Sequence, residues 1–206
     1  MRVRLFLAMV CVLAGCATSL TGRDRAELRV EGARITIVAP EGLCVDPRSL
    51  DVRRAGGFLL ISDCALFAEV PRTVTQLNGV ISVSISTGGL PQDFSALEEM
   101  LNGPGRAALG RSGQTSEVVI LATRQRPDSL ALKIRDRAVE PGVSAEFWRI
   151  FFPAGPRLVS AALTTFPGAA FPDEQALRLL DALAAATRQA NPPVIGPALS
   201  EDDRAT

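Results

Sequence analysis

Thiols and carboxylates are the side chains through which this sequence could do chemistry. Cysteines stand at Cys11, Cys16, Cys44 and Cys64, and the acids available for acid/base work include Asp46, Asp63, Glu69, Asp93, Glu98, Glu99 and Glu146. Histidine is absent from all 206 residues, and so is tyrosine. That removes the Ser-His-Asp and Cys-His centres, the histidine-built catalytic zinc sites and any imidazole base working near neutrality. The patterns G-x-S-x-G and S-x-x-K are missing as well. Paired carboxylates remain, and hydrolysis of a glycoside needs two of them about 5–10 Å apart across a cleft. Spacing along the chain does not pair these acids, and solvated surface charge is the default for each. No catalytic residue is assigned, and no metal or other cofactor is expected.

One stretch imitates a phosphate loop. Gly105 to Ser112 reads G-R-A-A-L-G-R-S, a Walker A pattern with Arg111 in place of the lysine. The chemistry requires a strand before the glycines and a helix after them, with a lysine reaching the phosphates. Here a helical pattern precedes and a β-branched strand follows from about Glu117, so the stretch reads as a helical turn ending at Gly110. No nucleotide is expected. Acidic and basic residues balance at 22 each, so no electrostatic footprint for nucleic acid exists either. All the basic residues but Lys133 are arginine, and their scattered placement suits a coding bias better than an anion site.

The N-terminus carries the most specific chemistry. M-R-V-R is a positive n-region, and Leu5 to Ala14 form an apolar run of ten residues. A membrane-spanning helix needs roughly 20 apolar residues, whereas an export signal needs about 7–15. The run ends in Leu13-Ala14-Gly15-Cys16, which resembles the lipobox of bacterial lipoproteins at all four positions. The resemblance implies cleavage before Cys16, diacylation of its thiol and acylation of the new terminus. Ala17 behind it resembles proteins sorted to the outer membrane, facing the periplasm. Several buried chains at ~0.8 kcal/mol per CH₂ would hold the protein to a bilayer. Cys11 leaves with the signal. Cys44 and Cys64 are then two thiols in an oxidising compartment, which reads as a disulfide closing a loop worth ~3 kcal/mol.

These residues need elements to position them. Residues 1–15 read as the signal, 16–32 as a flexible tether, 33–190 as one domain, and 191–206 as a disordered tail that its prolines keep from continuing a helix. Strands are expected at 34–37 and 57–62, the latter delivering Cys64. Asn78-Gly79 reads as a two-residue hairpin turn setting Val74 opposite Val83 and Gln76 opposite Ile81. The serines of I-S-V-S-I-S mark one face of that strand as wet. Ser95-Ala96-Leu97-Glu98 fits a capping box, and further strands fall at 117–123, 129–135, 146–152 and 157–165. Lys133 and Arg135 share a polar, solvent-facing side. A last helix runs from about Pro172 to Ala190, with Leu177, Leu180, Leu183, Ala184 and Thr187 at core-facing spacing.

The expected class is α+β, an antiparallel β-sheet meander packed against a long C-terminal helix and a shorter middle helical segment. The order of elements, with F-W-R-I-F-F, R-L-V-S-A-A-L-T-T-F-P and L-R-L-L-D-A-L, resembles the PsbP-like fold of extrinsic photosystem proteins and some bacterial lipoproteins. That fold hosts binding, assembly and chaperone roles and does not choose among them. Six of the ten aromatics lie between 147 and 171. A central strand buried on both sides accounts for them, while Phe147, Arg149 and Phe151 on one face offer a partner patch. The functional expectation is a lipid-anchored envelope protein that binds or assembles, its partner an envelope protein. The alternatives are a hydrolase using two carboxylates, or a module binding a small molecule or lipid between sheet and helices.

Overall fold

The computed structural model describes residues 24–193, apart from 54–55, 68–76, 111–112, 115–116, 139–141 and 170. Its chain forms an α+β fold around a large antiparallel sheet. Seven strands follow one another across it in the order β3-β5-β6-β10-β9-β8-β7: β3 (Leu43–Val45), β5 (Gly56–Asp63), β6 (Gly79–Ile85), β10 (Arg157–Thr165), β9 (Glu146–Ala154), β8 (Ser129–Asp136) and β7 (Val118–Arg126), while β4 (Asp51–Arg53) pairs with β5. The last four strands in the chain are the expected meander. Its β9–β10 turn is closed by Gly155 at φ +55 between Ala154 and Arg157, which pair across it.

Two layers cover the first face of the sheet. One is α2 (Asp173–Ala190), whose Ala176, Leu180, Leu183, Ala184 and Thr187 are buried. The other is a separate ribbon of β1 (Arg25–Val30) and β2 (Ala33–Val38). Leu59, Ile61, Ile81, Val83, Ile150, Phe152, Val159 and Ala161 form the core beneath them. Gly57 shows how closely the ribbon lies: a Cβ there would stand 3.0 Å from Val30 Cγ2 and 3.2 Å from Leu28 Cδ2. On the second face, α1 (Phe94–Asn102) and a 3₁₀ turn, Arg106–Leu109, cover β7, β8 and β9, with Ala162 and Leu158 of β10 in the same cluster. Toward β6 and β5 that face carries Ser84, Ser82 and Phe58, exposed or half-buried, as the alternating serines predict.

Several expectations need correcting. The tether does not reach Gly32, because Ala26, Leu28 and Val30 alternate into the core and β1 pairs with β2 through a two-residue turn. Three apolar residues, one of them alanine, are too short a pattern to separate from a polar spacer. That turn is Glu31-Gly32, both with positive φ. At Asn78-Gly79 no such hairpin to β6 forms: Ile81 and Val83 pair with Ile61 and Leu59 on one side and with Leu163 and Ala161 on the other, leaving no third edge. Val74 and Gln76 lie outside the described residues. The N-cap of α1 is Asp93, which accepts from Ala96 N–H at 2.7 Å, two positions before the expected Ser95. Asn191 belongs to the domain and not to a tail, being 9% exposed and bonded to β2. The rest of the expected tail from 194, and residues 1–23 with Cys11 and Cys16, lie outside the described residues.

Candidate functional site

The aromatic strand resolves into two cores. Trp148, Ile150 and Phe152 point to the α2 side, and Phe147 and Phe151 to the α1 side, where they are 5% and 7% exposed. Leu97, Leu101 and Leu109 cover them together with Leu130, Leu132 and Ile134 of β8. Arg149, between the two phenylalanines, donates to the Ala108 carbonyl at 3.2 Å and lies 5.6 Å over the Phe147 ring. It therefore ties the 3₁₀ turn to the sheet. Phe147, Arg149 and Phe151 are thus not an exposed partner patch: a helix hides the face on which they were expected to dock. The Walker-like stretch includes that same turn, between α1 and β7, and lacks the strand-loop-helix order a phosphate loop needs.

A disulfide joins Cys44 to Cys64, with Cα atoms 4.8 Å apart. It pins the three-residue edge strand β3 to the end of β5, where Leu43 pairs with Asp63. Asp63 accepts from Ala65 N–H at 2.8 Å, and Asp46 from Arg48 N–H at 2.9 Å. Like Asp93, these acids shape local backbone. Among the described residues, no group of three or more Cys, Asp or Glu is placed to hold a metal ion, and no helix is long and apolar enough to cross a membrane.

Glu146 lies in a network of charged side chains. Arg135 donates to its Oε1 from Nη2 at 2.7 Å and from Nε at 2.9 Å. Lys133 Nζ lies 3.7 Å from its Oε2 and donates to Asp173 Oδ2 at 2.7 Å. Trp148 Nε1–H donates to the other Asp173 oxygen at 3.0 Å. Lys133 is thus drawn onto α2 instead of facing bulk solvent, its side chain 23% exposed. The Lys133 hydrogen bond holds the Asp173 carboxyl below its ordinary value; partial burial opposes this, while the Trp148 bond and the Lys133 charge reinforce it. Held ionised, Asp173 does not suit the proton-bearing role of the two carboxyl groups in glycoside hydrolysis. Lys133, Glu146, Trp148 and Asp173 wall a polar hollow of about 170 Å³ with Ser144, Thr165 and Phe171.

Phe171 also belongs to a second, apolar recess. A cleft of about 390 Å³ runs between α2 and the turn from Pro40 to Leu43. Leu43, Leu77, Phe171, Leu179 and Ala182 give it an apolar lining, and Pro40, Glu41, Gln175 and Arg178 complete its wall. That volume falls within the roughly 300–1,000 Å³ of small-molecule sites. Sequence reasoning placed α2's buried stripe, except that Ala176 is buried where Leu177 was expected and Leu177 only partly so, but passed over this flank. The available signal was an apolar surplus: Ala182 is apolar yet exposed, and Leu179 is only partly buried at the stripe's edge. Leu43 and Leu77 are brought in from distant segments by the sheet and leave no local mark.

No family model matches the sequence, and no curated protein does. Among solved structures, one of a mutant of the protein Mog1 is similar at 12% identity, covering 81% of this chain and 88% of that one with a TM-score of 0.40. A likeness at that score carries no argument about this protein.

Proposed function

We propose that this protein is a lipid-anchored module of the bacterial envelope that works by binding, with its ligand received in the cleft beside α2. The observation that carries the binding role is the cleft itself: an apolar floor open to solvent, sealed by none of the described side chains. The rival hydrolytic reading has its best acids, Glu146 and Asp173, gathered on one lysine. Lys133 lies against both carboxylates and Arg135 against Glu146, so both acids are engaged in ion pairs. The lipobox Leu13-Ala14-Gly15-Cys16 supplies the anchor, outer-membrane and periplasm-facing.

Two measurements test this. Mass spectrometry and fractionation of Cys16→Ala should show an unlipidated product released from the membrane; an unchanged membrane fraction defeats the anchor. A photoreactive residue placed at Ala182 in intact envelopes should give a discrete adduct. Adducts from an equivalent residue on the serine face near Ser84, with none from Ala182, would move the binding site off the cleft.

A further inference from the structure

We infer that the cleft between α2 and the Pro40–Leu43 turn takes a single acyl chain of a lipid from the bilayer to which Cys16 is anchored. This rests on the anchored reading above and names its ligand class. The first argument is shape and lining. The floor is hydrocarbon and aromatic, from Leu43, Leu77, Phe171 and Leu179. At about 30 Å³ per methylene-sized unit, the share of liquid volume a water takes, it holds roughly a dozen methylenes. That is one chain and not two. Gln175 and Arg178, one helical turn apart on α2, stand on its border with polar groups for a headgroup.

The second argument is where the anchor attaches. The described chain begins at Asp24, whose carbonyl accepts from Ala39 N–H at 2.7 Å. Ala39 precedes Pro40, a residue of the cleft, and an open hollow lined by Asp24 and Arg25 shares Pro40, Glu41 and Leu43 with it. Cys16 and Asp24 are eight residues apart, a reach of at most about 28 Å at ~3.5 Å per residue. The anchor therefore joins the domain beside the Pro40–Leu43 turn that lines the cleft and keeps that turn within one bilayer thickness, about 30 Å, of the lipid surface. A soluble ligand needs no such placement; a chain drawn from the anchoring bilayer does.

The test uses the full lipidated protein in phosphatidylethanolamine–phosphatidylglycerol vesicles containing phospholipid with a mid-chain diazirine. After irradiation, peptide mapping should place adducts on the segments bearing Leu43, Leu77, Phe171 and Leu179. Ala182→Phe, which fills the cleft from an exposed position, should cut them at least tenfold, and Ala185→Phe on the exposed side of α2 should not. Leu179→Gln repeats the test without added bulk. Adducts confined to other segments, or unaffected by Ala182→Phe and Leu179→Gln, overturn the proposal. A second arm follows Cys16→Ser with tetradecanoate in equilibrium dialysis. Release from vesicles with tetradecanoate still bound, and lost in the Ala182→Phe double variant, supports both seat and anchor. Release without tetradecanoate binding overturns the seat and leaves the anchor. Retention on vesicles with unchanged adducts overturns the anchor and leaves the seat.

Discussion

The side-chain amide of Asn191 pairs with both backbone groups of Thr36, accepting from its N–H at 2.8 Å and donating to its carbonyl at 2.7 Å. The residue just past α2 thereby acts as a short extra strand against β2. The same amide nitrogen donates to the Thr187 carbonyl at 2.6 Å, and Thr187 Oγ1 accepts from Val38 N–H at 3.2 Å. Helix and ribbon, which cover the first face side by side, are joined here by polar bonds.

Asn191→Ala leaves the Thr36 N–H and carbonyl without that partner. A buried group stripped of its bond costs about 1–3 kcal/mol, and these groups are half-buried, so the variant should lose about 1–3 kcal/mol in urea unfolding. Thr187→Val, which removes one such bond, should lose less. Equal losses from the two would show that the Asn191 pairing is not what holds the ribbon.

Asp173 should make stability depend on acid. Its folded pKa lies below the 3.8 of the free group, so the unfolded chain binds its proton first as pH falls. The contribution is complete above about pH 5 and declines as pH drops through 3.8 toward the lower folded value. Its side chain is 50% exposed, so the effect is screened and modest. Asp173→Asn should flatten the stability–pH curve below pH 5 and leave its shape above pH 6 unchanged. An identical acid limb in both proteins would refute the Lys133–Asp173 coupling.

Cys44 and Cys64 should resist alkylation until a reductant is added. Reduction should lower stability by about 3 kcal/mol, the chain-entropy value for a loop of this length. Because β3 is a three-residue edge strand whose Leu43 floors the cleft, the loss should be accompanied by weaker tetradecanoate binding.

How much could be read in advance follows from how local each signal is. The meander from Val118 to Thr165 was legible because each strand carries its own alternation and its turns hold Gly, Pro or Asp. Helix α2 was legible from its 3.6-residue stripe. The Asn78-Gly79 hairpin failed because the pattern is silent about which strands already flank β6, a matter of tertiary pairing. β1 failed because its inward residues are only Ala26, Leu28 and Val30, set between Arg25, Glu27 and Arg29, a pattern that reads as a polar spacer. In β9, alternation showed that Phe147 and Phe151 share a face, yet only the packing of Leu97, Leu101 and Leu109 decides whether that face is wet. The cleft was least legible, since Leu43, Leu77 and Phe171 meet only after the sheet has formed.

Glu31 takes φ +45 in the β1–β2 turn, a conformation that asparagine and glycine adopt more readily. Its carboxylate lies 3.3 Å from Arg157 Nη1, with the Glu31 side chain 57% exposed and that of Arg157 13%, a half-exposed pair at the upper end of the about 0–1 kcal/mol of surface ion pairs. Arg157 also donates to the Glu31 and Thr87 carbonyls, bonds that do not need the carboxylate. Relief of left-handed strain, about 1–2 kcal/mol per residue, should outweigh the lost pair. Glu31→Asn is expected to raise Tm by about 2 °C; a fall would mean that the Arg157 pair outweighs the strain.

Phe151→Ala separates a core from a docking face. Phe151 is 7% exposed and packs in the cluster beneath α1, so its loss should cost about 3–5 kcal/mol by cavity formation. A docking residue would instead leave stability within about 0.5 kcal/mol, as surface substitutions do, and weaken an interaction. Phe147→Leu, which keeps most of the volume, should be far milder, about 1 kcal/mol. Differential scanning calorimetry of the two variants checks this, since the order Phe151→Ala much below Phe147→Leu below wild type requires a packed second core. Near-identical melting temperatures for all three would return this face to solvent and reopen it as a partner surface.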